Sequence, residues 1–457
     1  MTEPLHALTA IEAGRRLRAG SLTSEALTRA CLARIQALDG IHRAFITVTA
    51  DEALDAAREA DRELAAGRDR GPLHGIPVSL KDLIDQAGAP TTAGSRVRPM
   101  TPAPRDAVVT ARLRAAGAVL IGKTNLHEFA FGTTSEDTAF GAVRHPLDPE
   151  RSAGGSSGGS AVAVALGMSP ISIGTDTGGS VRIPAAACGL VGLKAAYGEI
   201  PCDGVVPLSE TLDHVGPLAR TVADAAAAYC ILSRRTARPP VPPPAGSLRL
   251  GRLPEYFEEV LSPGVRAAYT RALDMLTQAG VRIEQVAVPH AAEIPAVYLH
   301  LMAPEAAAYH ARTLESCPER YTPAVRARLE VCRYMLAEDH VRARQGQRML
   351  RAGVDAALAS LDALILPGLP IEAFPLGTEA VDVDGTRHTI RNLTLRLTQP
   401  FNITGHPAVV LPAGRSNGLP VSLQLVGHHG ATPLLLDVAA AVEAIVAGVG
   451  RDDGRAD

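Results

Sequence analysis

The sequence predicts an α/β protein in which a large mixed, mostly parallel twisted sheet is covered by helices on both faces. Short apolar runs alternate along the chain with amphipathic helical segments, as in proteins built from strand–helix units. Residues 171–193 read as a strand, a glycine-rich turn and a helix. At 457 residues the chain is long enough to bury about three quarters of its unfolded surface, so it can enclose a dry pocket.

The first half of the chain supplies most of the predicted strand–helix alternation. Residues 21–39 repeat apolar side chains at helical spacing, and Thr23 or Ser24 can cap the helix. Further helices are predicted at 51–66 and 106–116, and strands at 75–84, 118–124 and 171–174.

A proline-rich stretch interrupts this pattern in the second half. Residues 238–246 (RPPVPPPAG) cannot form a helix or an inner strand. We therefore treat residues 1–457 as a single domain in which 247–360 is a helix-rich elaboration that shapes a substrate pocket. Strands are then predicted at 362–367, 408–414 and 418–427, followed by a closing helix at 432–447.

Composition excludes several classes of function. The net charge of −3 gives no reason to expect a nucleic acid or an anionic membrane as partner. The six cysteines form no C-x-x-C pair, so neither a zinc site nor a redox motif is indicated. The N-terminus lacks the apolar stretch of a signal peptide, and no run of about 18 apolar residues is present. These features predict a cytoplasmic protein with reduced thiols.

The turn that ends in Ser180 carries the first chemical signal. Gly178 and Gly179 leave backbone N–H groups accessible, and together with Thr177 and Ser180 they could form a nest for an anion. Beside a nucleophilic hydroxyl such a nest is an oxyanion hole. An ordinary surface turn is the alternative. Nucleotide binding is disfavoured because neither a P-loop nor a G-x-G-x-x-G motif is present.

A nucleophilic serine needs a base, and Lys81 is the best candidate. The chain has three lysines among 45 basic residues, and arginine cannot serve as a base. Lys81 ends an apolar run, where burial would lower its pKa toward neutrality. The 14 histidines form no recognisable motif; His214 could lie near the turn, although a structural role fits it better. A surface lysine at a strand end is the alternative reading of Lys81.

Four motifs together resemble the amidase signature family of Ser–Ser–Lys amide hydrolases. They are VSLKDLI (78–84), AGGSSGGSAVAVALG (153–167), GTDTGGSVRIPAA (174–186) and CGLVGLKAAYG (188–198). The spacing from Gly-Gly-Ser-Ser-Gly-Gly to Gly-Gly-Ser, with the lysine upstream, is a specific combination, and the resemblance extends over nearly the whole chain.

The resemblance implies a role for each matching residue. Ser180 would be the acyl-forming nucleophile, Ser156 the bridging serine that follows a cis peptide from Gly155, and Lys81 the terminal base. Thr177, Gly178, Gly179 and Ser180 would supply the N–H groups of the oxyanion hole. No metal or organic cofactor is implied, and the expected partner is a small-molecule amide.

Further residues near these motifs receive supporting roles. Asp176 and Arg182 flank the nucleophile, and we expect them to orient its loop through hydrogen bonds. Ser157 is expected to pack the turn, and Phe131 matches a family position that lines the acyl pocket, although a plain core role is as common for phenylalanine. Lys123 and Lys194 match no catalytic position and are expected to be structural.

The resemblance leaves the type of amidase open. It covers stand-alone amidases, including hydrolases of urea-like compounds, and the glutamine-hydrolysing component of the glutamyl-tRNA amidotransferase. Ile183 stands where that component usually has glutamine, and 199–214 contains a "PLS" stretch typical of stand-alone amidases. We therefore favour a stand-alone amidase, with the tRNA-dependent amidotransferase component second and a non-catalytic binding protein third. A homodimer is compatible with the resemblance, and the sequence identifies no substrate.

Overall fold

The computed structural model describes residues 4–447. The α-helices in this range are α1 (Ala10–Arg18), α2 (Ser24–His42), α3 (Ala50–Ala65), α4 (Val108–Ala115), α5 (Gly158–Ala165), α6 (Arg182–Cys188), α7 (Val222–Ser233), α8 (Pro263–Gln278), α9 (Ile294–Ser316), α10 (Pro323–Cys332), α11 (Ala337–Leu358), α12 (Ile390–Arg396), α13 (Pro400–Thr404) and α14 (Thr432–Val446). The strands are β1 (Phe45–Val48), β2 (Pro77–Lys81), β3 (Val119–Thr124), β4 (Ile171–Thr175), β5 (Val191–Lys194), β6 (Val215–Ala219), β7 (Arg249–Arg252), β8 (Arg282–Gln285), β9 (Ala363–Pro367), β10 (Ala380–Val383), β11 (Thr386–Thr389), β12 (Ala408–Ser416) and β13 (Leu419–Val426).

Eleven strands form one mixed sheet, flanked by helices, in the order β1-β3-β2-β4-β6-β5-β12-β13-β9-β7-β8. The prediction of a large mixed sheet is confirmed, but the prediction that it is mostly parallel is wrong. Four neighbouring pairs in the described sheet are parallel and six are antiparallel. The antiparallel majority arises in the centre, where short hairpin-like connections such as that between β12 and β13 replace helical crossovers.

The segment 247–360 contains more than helices. Its strands β7 and β8 pair in parallel next to β9 and extend the same sheet to its edge. The sequence analysis missed them because each has only four residues and β8 has no buried residue. Helix α8 begins as predicted, since Ser262 caps it through the backbone N–H of Val265.

The elements that carry the predicted site lie in the middle of the sheet and are buried. Strands β2 and β4 are neighbours, and every residue of each is buried. Helix α5 is buried over its first seven residues, 158–164, as expected of an apolar helix enclosed in a core. The two strands therefore deliver their last residues to one place inside the molecule.

Within residues 4–447 no helix is both long enough and apolar enough to cross a membrane. The six cysteines are free thiols; Cys202 and Cys317 are partly exposed, and the other four are buried.

Candidate active site

The end of β2 places Lys81 against Ser156. The side chain of Lys81 is fully buried, and its Nζ lies 2.7 Å from Ser156 Oγ and 2.9 Å from Thr175 Oγ1. Burial lowers the pKa of Lys81 to about 7, although the negative charges of Asp176 and Asp213 oppose the shift. The amine can therefore be neutral at physiological pH and accept a proton.

Ser156 lies in a tight turn just before α5. The peptide bond between Gly155 and Ser156 is cis, as the resemblance implied. The Ser156 carbonyl accepts hydrogen bonds from the backbone N–H of His127 at 3.1 Å and from Ser135 Oγ at 3.1 Å. A Cβ on Gly155 would lie 2.7 Å from the backbone nitrogens of both Thr134 and Ser135, so only glycine fits this position. The loop 127–135 thus packs directly on the turn.

Ser180 lies beside this turn with its hydroxyl unpaired. The backbone N–H of Ser157 donates to the Ser180 carbonyl at 3.1 Å, which joins the two serine-bearing turns. In the part of the chain that the structure describes, the Ser180 hydroxyl and the backbone N–H groups of 177–180 have no hydrogen-bond partner. Ser180 keeps 5% of its surface exposed. A nucleophile and a row of free donors therefore meet at an accessible point.

Close contacts fix the backbone on either side of these donors. Thr398 Oγ1 donates to the Gly178 carbonyl at 2.6 Å. Gly179 has a φ of +138°, and a Cβ there would lie 2.2 Å from Thr398 Oγ1, so a larger residue would both strain and clash. The hydroxyl of Tyr298, on α9, lies 2.5 Å from where a Cβ on Gly178 would be.

Asp176 and Arg182 form a fully buried ion pair beneath the turn. Arg182 Nε and Nη2 donate to the two carboxylate oxygens at 3.0 and 2.9 Å. Arg182 also donates to Gln424 and Asn402, and Asn402 donates to Asp176. Burial favours the neutral carboxyl, yet the charge and hydrogen bonds of Arg182 hold the pKa of Asp176 well below its ordinary value. The pair ties the loop to α6, α13 and β13.

The other predicted residues lie around this centre. Ser157 Oγ donates to the Thr175 carbonyl at 3.2 Å, so it packs the turn against β4. Phe131 is buried, with its ring centroid 5.3 Å from the guanidinium carbon of Arg391.

The other two lysines are fully buried away from the serines. Lys123 Nζ lies 2.9 Å from Asp82 Oδ1, and Lys194 Nζ lies 3.2 Å from His214 Nε2. His214 bonds to the Asp176 carbonyl through Nδ1, behind the loop, which suits a structural role. Among residues 4–447 no cluster of three His, Cys, Asp or Glu side chains is arranged to hold a metal ion.

Several residues of the site were missed by sequence reasoning. They are Thr175, Asp213, Tyr298, Thr398, Asn402 and Gln424. Only Thr175 and Asp213 lie within the motifs, and a hydroxyl and a carboxylate near a nucleophile could have been singled out there. The other four come from distant segments whose approach depends on the fold.

The comparisons with known proteins agree with this geometry. A family model described as Amidase matches residues 26–436. The chain belongs to the amidase family. Among curated proteins, this amidase is 39% identical to the GatA-type component, chain "A", of the glutamyl-tRNA(Gln) amidotransferase from Chloroflexus aurantiacus, over 94% of each chain.

Solved structures related to this amidase include both types of protein. A crystal structure described as an amidase superposes with a TM-score of 0.91 and 39% identity, covering 96% of this chain and 100% of that one. The corresponding glutamyl-tRNA(Gln) amidotransferase component of Thermotoga maritima superposes with a TM-score of 0.79 and 30% identity, covering 97% of this chain and 96% of that one. The fold is therefore that of amidase-family enzymes.

Proposed function

We propose that this enzyme is a stand-alone amidase that hydrolyses a linear carboxylic or urea-like amide, other than a peptide bond, to an acid and ammonia or an amine. Ser180 is the nucleophile, and Ser156 and Lys81 form its proton relay. The observation that carries the proposal is the buried Lys81 amine, 2.7 Å from Ser156 Oγ in a turn that is bonded to the Ser180 turn.

The first half of the reaction forms an acyl-enzyme. Neutral Lys81 takes a proton from Ser156 Oγ, Ser156 takes the proton of Ser180, and Ser180 Oγ attacks the amide carbon. The carbonyl oxygen becomes an oxyanion held by the free N–H groups of 177–180. One such donor is worth about 3–4 kcal/mol in subtilisin.

The second half releases both products. The C–N bond breaks as the leaving nitrogen receives the proton that passes back from Lys81 through Ser156. Water then attacks the ester carbon and gives its proton to the same relay. The acid leaves, Ser180 regains its hydrogen, and Lys81 returns to the neutral form, so no proton is gained or lost by the enzyme.

A second candidate is the glutamine-hydrolysing component of a tRNA-dependent amidotransferase. The 39% identity to such a protein over 94% of both chains favours it. Ile183 favours the stand-alone amidase, because this buried side chain packs against Gly154 and Gly179 and replaces the side-chain amide usual in that component. A non-catalytic protein is disfavoured because Lys81, Ser156 and Ser180 are all in place.

Ammonia release by the purified chain alone tests the proposal. The panel contains acetamide, butyramide, benzamide, biuret, a peptide C-terminal amide and glutamine. We expect turnover of at least one non-peptide amide, lost in Ser180→Ala and retained in Ser316→Ala, which changes an exposed serine. Failure on every amide, or equal turnover by Ser180→Ala, would contradict the proposal.

Size-exclusion chromatography of the same preparation distinguishes the two candidates. An active monomer or homodimer supports the stand-alone amidase. Glutamine hydrolysis that appears only after a second polypeptide co-elutes with the chain supports the amidotransferase component instead.

A further inference from the structure

A cavity of about 490 Å³ lies beside the turn that carries Ser156. One wall is the loop 127–137, and the opposite wall includes the start of α12. Its charged or polar lining residues are His127, Glu136, Asp137, Arg328, Glu379 and Arg391. Because the same loop holds the Ser156 carbonyl through His127 and Ser135, the cavity adjoins the reacting centre.

Helix α12 links the cavity to the oxyanion hole. Leu395 Cδ2 lies 2.9 Å from where a Cβ on Gly178 would be. Arg391 precedes Leu395 by four residues, so the two side chains share one helix face with their Cβ atoms about 6 Å apart. Burial raises the pKa of Tyr298, and the positive charge of Arg391 opposes that shift. Arg391 is therefore felt at the hydroxyl beside Gly178.

Arg391 has no acidic partner in the part of the chain that the structure describes. Its guanidinium carbon lies 5.3 Å from the centre of the Phe131 ring. Such stacking on an aromatic ring leaves the N–H donors of the guanidinium available.

The acids around the cavity are occupied or point elsewhere. Asp137 lies 3.3 Å from His127 Nε2 and 3.7 Å from Arg328 Nη2. Glu136 accepts a hydrogen bond from the backbone N–H of Gly377, and Glu379 is exposed. The guanidinium at the start of α12 therefore keeps its donors free toward the cavity.

We propose that Arg391 binds a carboxylate of the substrate, so that the enzyme acts on short monoamides of dicarboxylic acids. The inference rests on the proposed function, because it assigns the substrate class of that same site. The planar guanidinium can hold a carboxylate through two parallel hydrogen bonds. The single helical turn between Arg391 and Leu395 sets a spacing of only a few bonds between that carboxylate and the scissile amide.

Calorimetric titration of the Ser180→Ala protein tests binding without turnover. The probes are succinamate and glutaramate, each compared with the neutral amide of the same length, butyramide and valeramide. We expect the acid-bearing amide to bind at least about tenfold more tightly, which is a difference of about 1.4 kcal/mol. Arg391→Gln should abolish this preference. Arg387→Gln is the matched control, since Arg387 is exposed four residues upstream and does not line the cavity.

Each outcome of this titration decides the inference. Equal binding of the acid-bearing and neutral amides, a preference that survives Arg391→Gln, or no binding of any probe would overturn it. Arg391→Lys retains the charge, and partial recovery of the preference there would support the inference if Arg391→Gln folds poorly. The proposed function fails separately, through absent ammonia release from the wild-type enzyme.

Discussion

At the scale of single residues, the environment of Lys81 decides the chemistry. All three lysines of the chain are fully buried, but their partners differ. Lys123 Nζ contacts the Asp82 carboxylate, which supports a charged amine. Lys81 Nζ contacts only the hydroxyls of Ser156 and Thr175, so nothing next to it requires the charge. Burial of a lysine without an acidic neighbour is what makes it a base.

The pH dependence of kcat/KM should follow Lys81. Because the neutral amine is the active form and burial lowers its pKa to about 7, protonation below that pH removes the base. We expect kcat/KM to rise about tenfold per pH unit up to about pH 7 and to level off above it. Initial rates of ammonia release between pH 5 and pH 9 would measure this.

Asp213 provides the control for that profile. Burial raises its pKa to about 6, and it accepts a hydrogen bond from Thr177 Oγ1 at 2.5 Å, so its titration could affect the oxyanion hole. The Asp213→Asn variant should keep the inflection near pH 7. If the inflection disappears in Asp213→Asn, or if the wild-type profile is flat, Lys81 is not the group that titrates.

At the scale of elements, the Asp176–Arg182 pair holds the nucleophile turn in place. The turn runs from the end of β4 to the start of α6, and the ion pair joins its two ends while Asn402 and Gln424 bind it to neighbouring elements. Every one of the three guanidinium nitrogens of Arg182 donates a hydrogen bond. Removal of one partner would leave the other charge buried and uncompensated.

Arg182→Met should therefore destabilise the protein by about 3–5 kcal/mol. Urea unfolding followed by far-UV circular dichroism would measure the change, since the chain has no tryptophan for fluorescence. The double variant Asp176→Leu/Arg182→Met should recover part of the loss because no charge stays unpaired. A loss below about 1 kcal/mol in the single variant would show that the pair does not stabilise the turn.

The strands and turns next to the site were predictable because their own residues determine them. β2 and β4 are apolar runs bounded by glycine or polar residues, and Gly179 marks a backbone that a larger residue could not adopt. β6 was missed because Gly216 and Pro217 lie within it and mask its strand character. Tyr298 and Arg391 were missed because only the fold brings α9 and α12 to the glycine turn.

At the scale of the whole molecule, the segment 247–360 is part of the sheet as well as a wall of the active site. β7 and β8 cover the edge of β9, whose five residues are all buried. Tyr298 from α9 reaches the glycine turn, and Glu305 on the same helix accepts hydrogen bonds from Ser209 and Thr211. The segment therefore joins both ends of the structure.

Deletion of 247–360 should prevent folding of the remaining chain. It would expose the apolar edge strand β9, and such an edge pairs with other chains and aggregates. Expression of the truncated protein with a short glycine–serine linker, followed by sedimentation and circular dichroism, would test this. A soluble, folded monomer would show instead that 247–360 is a separable insertion.

The reactivity of Ser180 is the central claim, and intact mass after incubation with a fluorophosphonate tests it most directly. The account predicts a single adduct on the wild-type protein, formed as Ser180 Oγ displaces fluoride from phosphorus. The adduct should be absent from Ser180→Ala and should form much more slowly on Lys81→Ala. An adduct that persists in Ser180→Ala, or no adduct on the folded wild-type enzyme, would contradict a Ser180 nucleophile driven by Lys81.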